Sequence, residues 1–264
     1  MGTKVTRQTC KGCGDGVVLD FAFTMAFQPI LDLGAGTVWR YEALVRGPEG
    51  QSAASILDRV TEATLYRFDQ AARVKAIELA GRLFPAGGDA KLSISSKPNA
   101  VYEPAACIRA SLEAARRFGF AHDRISFEFT ENERFRDIAH VAGIVAEYRR
   151  QGFLTALDDF GAGYAGLGLL ANFRPDLIKI DLELIRSVDA DAARRTIVAG
   201  IVGMATALGV TVIADGVETR AEVDALRAMG IALFQGCHFA KPAFEALPVV
   251  AGFEDAPEVS LRVA

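Results

Sequence analysis

The chain has no run of the roughly 18 to 20 apolar residues that a membrane-spanning helix needs, so no membrane span is expected. Its first residues, MGTKVTRQTCKGCGDG, are polar and Gly-rich and lack the apolar stretch of a secretory signal. The loose match of that start to a myristoylation pattern is discounted, and a cytoplasmic location is expected. Cysteine is scarce: Cys10, Cys13, Cys107 and Cys237 are the four in 264 residues, too few for a disulfide scaffold. Cys10 and Cys13 form one Cys-x-x-Cys, and no second Cys or His pair follows to complete a zinc site, which needs about four ligands. His238 beside Cys237 is a conceivable completion, against the plainer expectation of a reduced pair in a flexible tail. Basic residues are not in excess, 29 against 33 acidic, for a net charge of −4. That argues against a DNA partner, which would call for clustered Lys and Arg, but leaves room for a small anionic ligand held in one basic spot. No low-complexity tract, internal repeat or interdomain linker interrupts the chain.

What is present is ordinary globular composition, 51% hydrophobic and 23% charged, in a length suited to one large domain or two small ones. From residue 23 onward, β-like and helix-like stretches alternate. Residues 23–33 and 37–47 read as two strands joined by the turn Gly34-Ala35-Gly36, hence a hairpin. Residues 52–84 carry one long helical pattern. KLSIS (91–95) is a strand, and the helix after it is punctuated by Pro104 and Gly119. Further strands follow at 124–131, 153–161, 175–181, 210–218 and 231–236. Helices are expected before Gly152, over 192–208 and up to Met229. About eight strands with intervening helices imply an α/β fold, a (β/α)₈ TIM-like barrel. The rival open sheet would show a glycine fingerprint after its first strand, and there is none. The opening hairpin implies one antiparallel strand. The expected organisation is a tail over 1–20, a barrel domain over 21–250 and a second tail over 251–264.

Acids recur at the ends of these apolar strands: Glu42, Glu128, Asp158, Asp159, Asp181 and Asp215. In a barrel, strand C-termini converge on one mouth, where active sites lie. Carboxylates gathered there repel unless something positive sits among them, and oxygen-rich clusters suit Mg²⁺ or Mn²⁺. Singly, each has a duller role: Asp181 or Asp158 as a helix N-cap, Glu42 as half of a rim ion pair. The set is the signal. Lys179 lies inside an otherwise apolar strand and needs acidic neighbours or a phosphate. Arg46, four after Glu42 and on the same face, suits a phosphate fork or a rim ion pair.

Taken together, FQPI (27–30), EALVRG (42–47), FEFTE (127–131), LDDFGAGYAGL (157–167), LIKID (177–181), ADGVET (214–219) and QG…KP (235–242) resemble the EAL-domain cyclic-di-GMP phosphodiesterases. The likeness runs from about Phe23 to Leu247. That family has a barrel with one reversed strand. The resemblance implies metal ligands at Glu42, Glu128, Asp158 and Asp159, and a loop-steadying role for Glu131 in a loop also used in dimerisation. It implies that Lys179 orients the attacking water, and that Gln28, Leu44, Arg46, Asp181 and Gln235 contact the ligand, with Glu218 in support. A pair of Mg²⁺ or Mn²⁺ ions would activate water for in-line attack on a phosphodiester, giving linear pGpG.

Two metal-site positions depart from the family pattern. Ser95 stands where the family has asparagine, and Asp215, a position implicated in metal contact and proton abstraction, stands where it has glutamate. Both carboxylate and hydroxyl can ligate a hard cation, but each side chain is shorter. Three readings follow: a phosphodiesterase of reduced activity, a cyclic-di-GMP receptor that signals through a partner, or an interaction module without nucleotide. With no sensor or cyclase domain read in this sequence, control is expected from the tail, a homodimer, an unidentified signalling partner or expression level.

Overall fold

The computed structural model describes residues 18–85, 87–101, 103–130, 137–163 and 166–250. The tails bearing Cys10, Cys13 and residues 251–264, and the expected loop residue Glu131, lie outside them.

The hairpin forms as the sequence predicts. Strand β1 (Thr24–Asp32) pairs antiparallel with β2 (Thr37–Arg46), and Gln28 lies opposite Glu42. The Asp32 carboxylate closes the turn by accepting from Gly34 N and Ala35 N, both at 2.9 Å. Beyond the hairpin, β3 (Lys91–Ser95), β4 (Ile125–Thr130), β5 (Leu154–Phe160), β6 (Leu177–Ile180), β7 (Thr211–Ala214) and β8 (Leu233–Phe234) follow in parallel order from β2. The barrel closes where β8 meets β1 antiparallel, Leu31 opposite Phe234. β1 is therefore the reversed strand. A further two-residue strand, β9 (Ala243–Phe244), takes the same edge of β1 nearer the mouth, pairing with Ala26 and Phe27.

The register of β1 against β2 shifts between Ile30 and Leu31, which leaves Trp39 as an extra residue. Neighbours on a regular strand face opposite ways, but at this bulge both serve the barrel interior. Trp39 packs on Ile30, Ile213 and Leu233 to form an apolar floor, and Arg40 is fully buried above it. Outside the strands, an aromatic layer that includes Phe84, Phe127, Tyr148 and Phe153 buries the helices against the barrel.

Helix punctuation follows local chemistry. Asp191 caps Ala192–Leu208 by accepting from Ala193 N and Arg194 N, and left-handed Gly209 ends it. Thr219 and Glu222 form a capping box on Arg220–Ala228. The continuous helix expected over 52–84 is instead two, Ala53–Leu57 and Leu65–Leu83. Between them the Thr61 and Thr64 hydroxyls accept from each other's backbone N–H, 2.9 and 3.3 Å, and divert the chain into a turn. Among the described residues no helix is long and apolar enough to cross a membrane.

Candidate active site

The mouth of the barrel is organised around one cation. Lys179 Nζ, fully buried on β6, lies 2.9 Å from Glu42, 3.3 Å from Glu128, 3.1 Å from Asp158 and 3.1 Å from Asp215. These acids come from β2, β4, β5 and the end of β7. Glu42 is fixed further by an amide ladder. Gln235 Nε2 donates to Glu42 Oε2 at 2.6 Å and to Gln28 Oε1 at 3.3 Å, and Gln28 in turn donates to Ala240 O at 3.1 Å. Main-chain bonds join the same loops, since Gln235 N donates to Ala214 O and Val217 N to Gln235 O. Gly236 seats this contact, because a Cβ there would lie 2.1 Å from Val217 O.

Asp158 and Asp159 are consecutive, yet both belong to this cluster. The register of β5 against β6 shifts between Leu157 and Phe160, and Asp159 adopts a left-handed φ of 54°. The bulge leaves the second carboxylate within electrostatic reach of the first, at the cost of a conformation that non-glycine residues seldom adopt.

Electrostatics record the crowding. Burial raises Glu42 to about 8, with Lys179 offsetting part of the shift and Glu128, Asp158 and Asp215 adding to it. Burial likewise raises Glu128 and Asp215, against the pull of Lys179. Asp159 is raised to about 6 by burial and by Asp158. Burial alone would lower Lys179; the four carboxylates outweigh it and hold its pKa well above the ordinary lysine value.

One carboxylate oxygen each from Glu42, Glu128 and Asp158 lie within 4.8 Å of one another. Glu128 Oε1 and Asp158 Oδ1 are buried without a hydrogen-bond partner, although the latter sits at ion-pair distance from Lys179. Buried acceptors left open in this way, on an all-oxygen set with surplus negative charge, fit a hard divalent cation.

The EAL domain model matches residues 20–242. The chain belongs to the EAL domain family. Among solved structures, a standalone versatile EAL protein from Vibrio cholerae O395, in its c-di-GMP bound form, superposes with a TM-score of 0.86 at 49% identity, over 90% of this chain and 100% of that one. BlrP1 of Klebsiella pneumoniae, in a manganese/cy-diGMP complex, matches with a TM-score of 0.80 and 34% identity over 86% of this chain and 58% of its own. The blue light- and temperature-regulated antirepressor BluF of Escherichia coli K12 is 32% identical over 226 residues, 86% of this chain but 56% of that protein. The cyclic di-GMP phosphodiesterase PA2567 of Pseudomonas aeruginosa is 27% identical over 83% of this chain and 38% of its own length. The chain thus spans about half or less of these curated relatives.

The remaining expected residues of this EAL domain surround the cluster at differing distances. Ser95 is exposed at the end of β3, opposite Glu128 in the register. Asp215 is held between Lys179 and Gly216 N, which donates to its Oδ1 at 2.7 Å. Leu44 and Arg46 are half-buried at the mouth end of β2, where Arg46 turns onto Val45 O at 2.7 Å. Asp181 caps the short helix Leu182–Ile185 by accepting from Glu183 N, the duller of its two expected roles, and still lies close enough to raise Asp159. Glu218 is exposed, with its carboxylate 3.8 Å from Arg186. Sequence reasoning passed over Arg40, although its signal was present: a charge inside an apolar strand, two residues before Glu42.

Proposed function

We propose that this domain hydrolyses cyclic-di-GMP to linear pGpG with bound Mg²⁺ or Mn²⁺, at a rate reduced by Ser95 and Asp215. The observation that carries this reading is the buried carboxylate cluster at the barrel mouth, in which four acids share the one cation of Lys179. Relatives named as cyclic di-GMP phosphodiesterases and a neighbour solved with manganese and cy-diGMP support it.

Glu42, Glu128, Asp158, Asp159, Asp215 and Ser95 would hold the cations. Such cations lower the pKa of a water molecule and stabilise the charge developing on the leaving oxygen. Lys179 keeps the carboxylates together at low repulsion and would orient water, while Gln235 and Gln28 fix the Glu42 carboxylate. Leu44, Arg46 and Asp181 would contact the dinucleotide, with Arg46 suited to a phosphate. Glu218 would support the loop after β7, and Glu131 the loop after β5. The barrel domain spans 21–250 in this reading, acts in the cytoplasm and pairs as a homodimer.

The test is incubation of purified protein with cyclic-di-GMP and either Mg²⁺ or Mn²⁺, following pGpG by chromatography beside Glu42→Ala. Metal-dependent product that vanishes in the variant supports the enzyme; no product under any metal sinks it. Reverting Asp215→Glu moves a carboxylate by about 1 Å, a displacement on which catalysis can depend about 10²-fold. That reversion, with Ser95→Asn, is expected to raise kcat.

A second reading is a cyclic-di-GMP receptor acting on a partner protein. A relative named as an antirepressor favours it. It predicts nucleotide binding without added metal and without product.

A further inference from the structure

Beneath the carboxylates lies a second buried cation that catalysis does not use. Arg40 is fully buried on β2, two residues before Glu42. Its Nη1 donates to Leu92 O at 3.2 Å and to the Ser126 hydroxyl. Ser126 meets the Ser93 hydroxyl at 2.9 Å, and Ser93 lies against Glu128. The Trp39 ring sits 4.5 Å from the guanidinium and closes the floor with Ile30, Ile213 and Leu233.

Arg40 Nε and Nη2 have no hydrogen-bond partner, and among the described residues no carboxylate stands at ion-pair distance from it. A guanidinium buried this way is costly unless a counter-charge acts on it through space. The acids that act on it are Glu128 in the cluster above and Asp176 at the barrel periphery. The cluster has surplus charge to offer, because even with Glu42 protonated the acids Glu128, Asp158 and Asp215 outnumber Lys179.

We propose that Arg40 is a floor counter-charge that steadies the metal-free carboxylate cluster and, by the same charge, weakens its grip on a divalent cation. The inference rests on the metal reading above, and its sign follows from Coulomb's law. Arg40 attracts the cluster while the cluster is net negative, and repels a cation entering it. Removing the charge destabilises the metal-free site relative to the bound one, so affinity rises. A residue that only shaped the site would act the other way, because its loss would loosen the ligands and weaken binding.

The experiment is calorimetric titration of Mn²⁺ alone into wild type, Arg40→Met, Arg40→Gln and Arg40→Lys, with the Mn²⁺-induced rise in Tm as a second readout. The neutral variants are expected to bind about tenfold tighter and to show the larger Tm rise, while the lysine variant stays near wild type. Arg40→Gln keeps a donor for Leu92 O and carries the test if the methionine variant fails to fold. Equal or weaker binding in the neutral variants overturns the inference, as does a lysine variant that shifts as far as they do. A flat wild-type titration overturns the metal reading itself and this inference with it, so the two failures are told apart.

Discussion

The helix layer buries Asp69 and Arg73 one turn apart, while the barrel mouth buries Glu42, Glu128, Asp158 and Asp215 around Lys179. In the first network one acid meets one base. Arg73 donates to Asp69 and, at 2.9 Å, to the Tyr148 hydroxyl, and the other Asp69 oxygen accepts from Lys97 N at 2.9 Å. Burial would lower Arg73, but Asp69 and Tyr148 outweigh it and raise its pKa. In the second network four acids share one lysine, and Glu128 Oε1 stays open. Both are buried and both involve several strands or helices, so burial alone does not mark a functional site. Surplus charge with open ligating atoms does.

Removing the cation from each network is the sharpest way to break this comparison. Arg73→Met leaves Asp69 buried with only the Lys97 N–H for a partner, a loss of about 3 to 5 kcal/mol. Lys179→Met leaves four carboxylates without their cation and should cost the metal-free protein at least as much. Mn²⁺ can replace a cation among open carboxylates but not beside Asp69. Thermal melts with and without Mn²⁺ should therefore show recovery of Tm in Lys179→Met and none in Arg73→Met. A metal response in both, or in neither, would erase the distinction.

A gentler probe of the same surplus is pH. The folded-state pKa of Glu42 is raised to about 8, above its unfolded value of 4.5. The folded state therefore holds a proton that the unfolded state has released. Its contribution to stability is full below the unfolded pKa and is lost as pH rises through the folded one. Metal-free protein should lose up to about 1.4 kcal/mol per pH unit from this group between pH 6 and 8, measured by urea midpoints. The rise in Tm on adding Mn²⁺ should grow over the same range, because ligation needs the carboxylates ionised.

Much of this comparison was readable before any coordinates. Acids in apolar strands identified Glu42, Glu128 and Asp158, and the alternation of elements gave the barrel with its reversed first strand. What escaped was set by contacts too short or too distant for periodicity to report. The two residues of β9 carry no pattern of their own and are strand only because the edge of β1 is open beside them. The break between the helices of 53–57 and 65–83 comes from two threonine hydroxyls, where apolar spacing alone predicts continuity. Strand alternation brings Arg40 to the same face as Glu42 but says nothing of its lacking an ion-pair partner. The same rule would send Asp158 and Asp159 to opposite faces; the bulge that overrides it is visible only in the register.

That bulge supplies the smallest test. Asp159→Asn keeps a side chain that tolerates the left-handed region, so any change reflects charge and not backbone strain. Burial and Asp158 raise the folded-state pKa of Asp159 to about 6, against 3.8 in the unfolded chain. Wild type therefore loses stability as pH rises through about 6, and the asparagine variant does not. Because Asp159 is only half-buried, solvent screening reduces the gain to about 1 kcal/mol at pH 8, vanishing near pH 4. On the proposed metal reading, the same variant should show a smaller Mn²⁺-induced rise in Tm, because it loses a negative charge beside the cluster. A gain that persists unchanged at pH 4 would point to packing, and would remove Asp159 from the charge surplus that sets this site apart from Asp69 and Arg73.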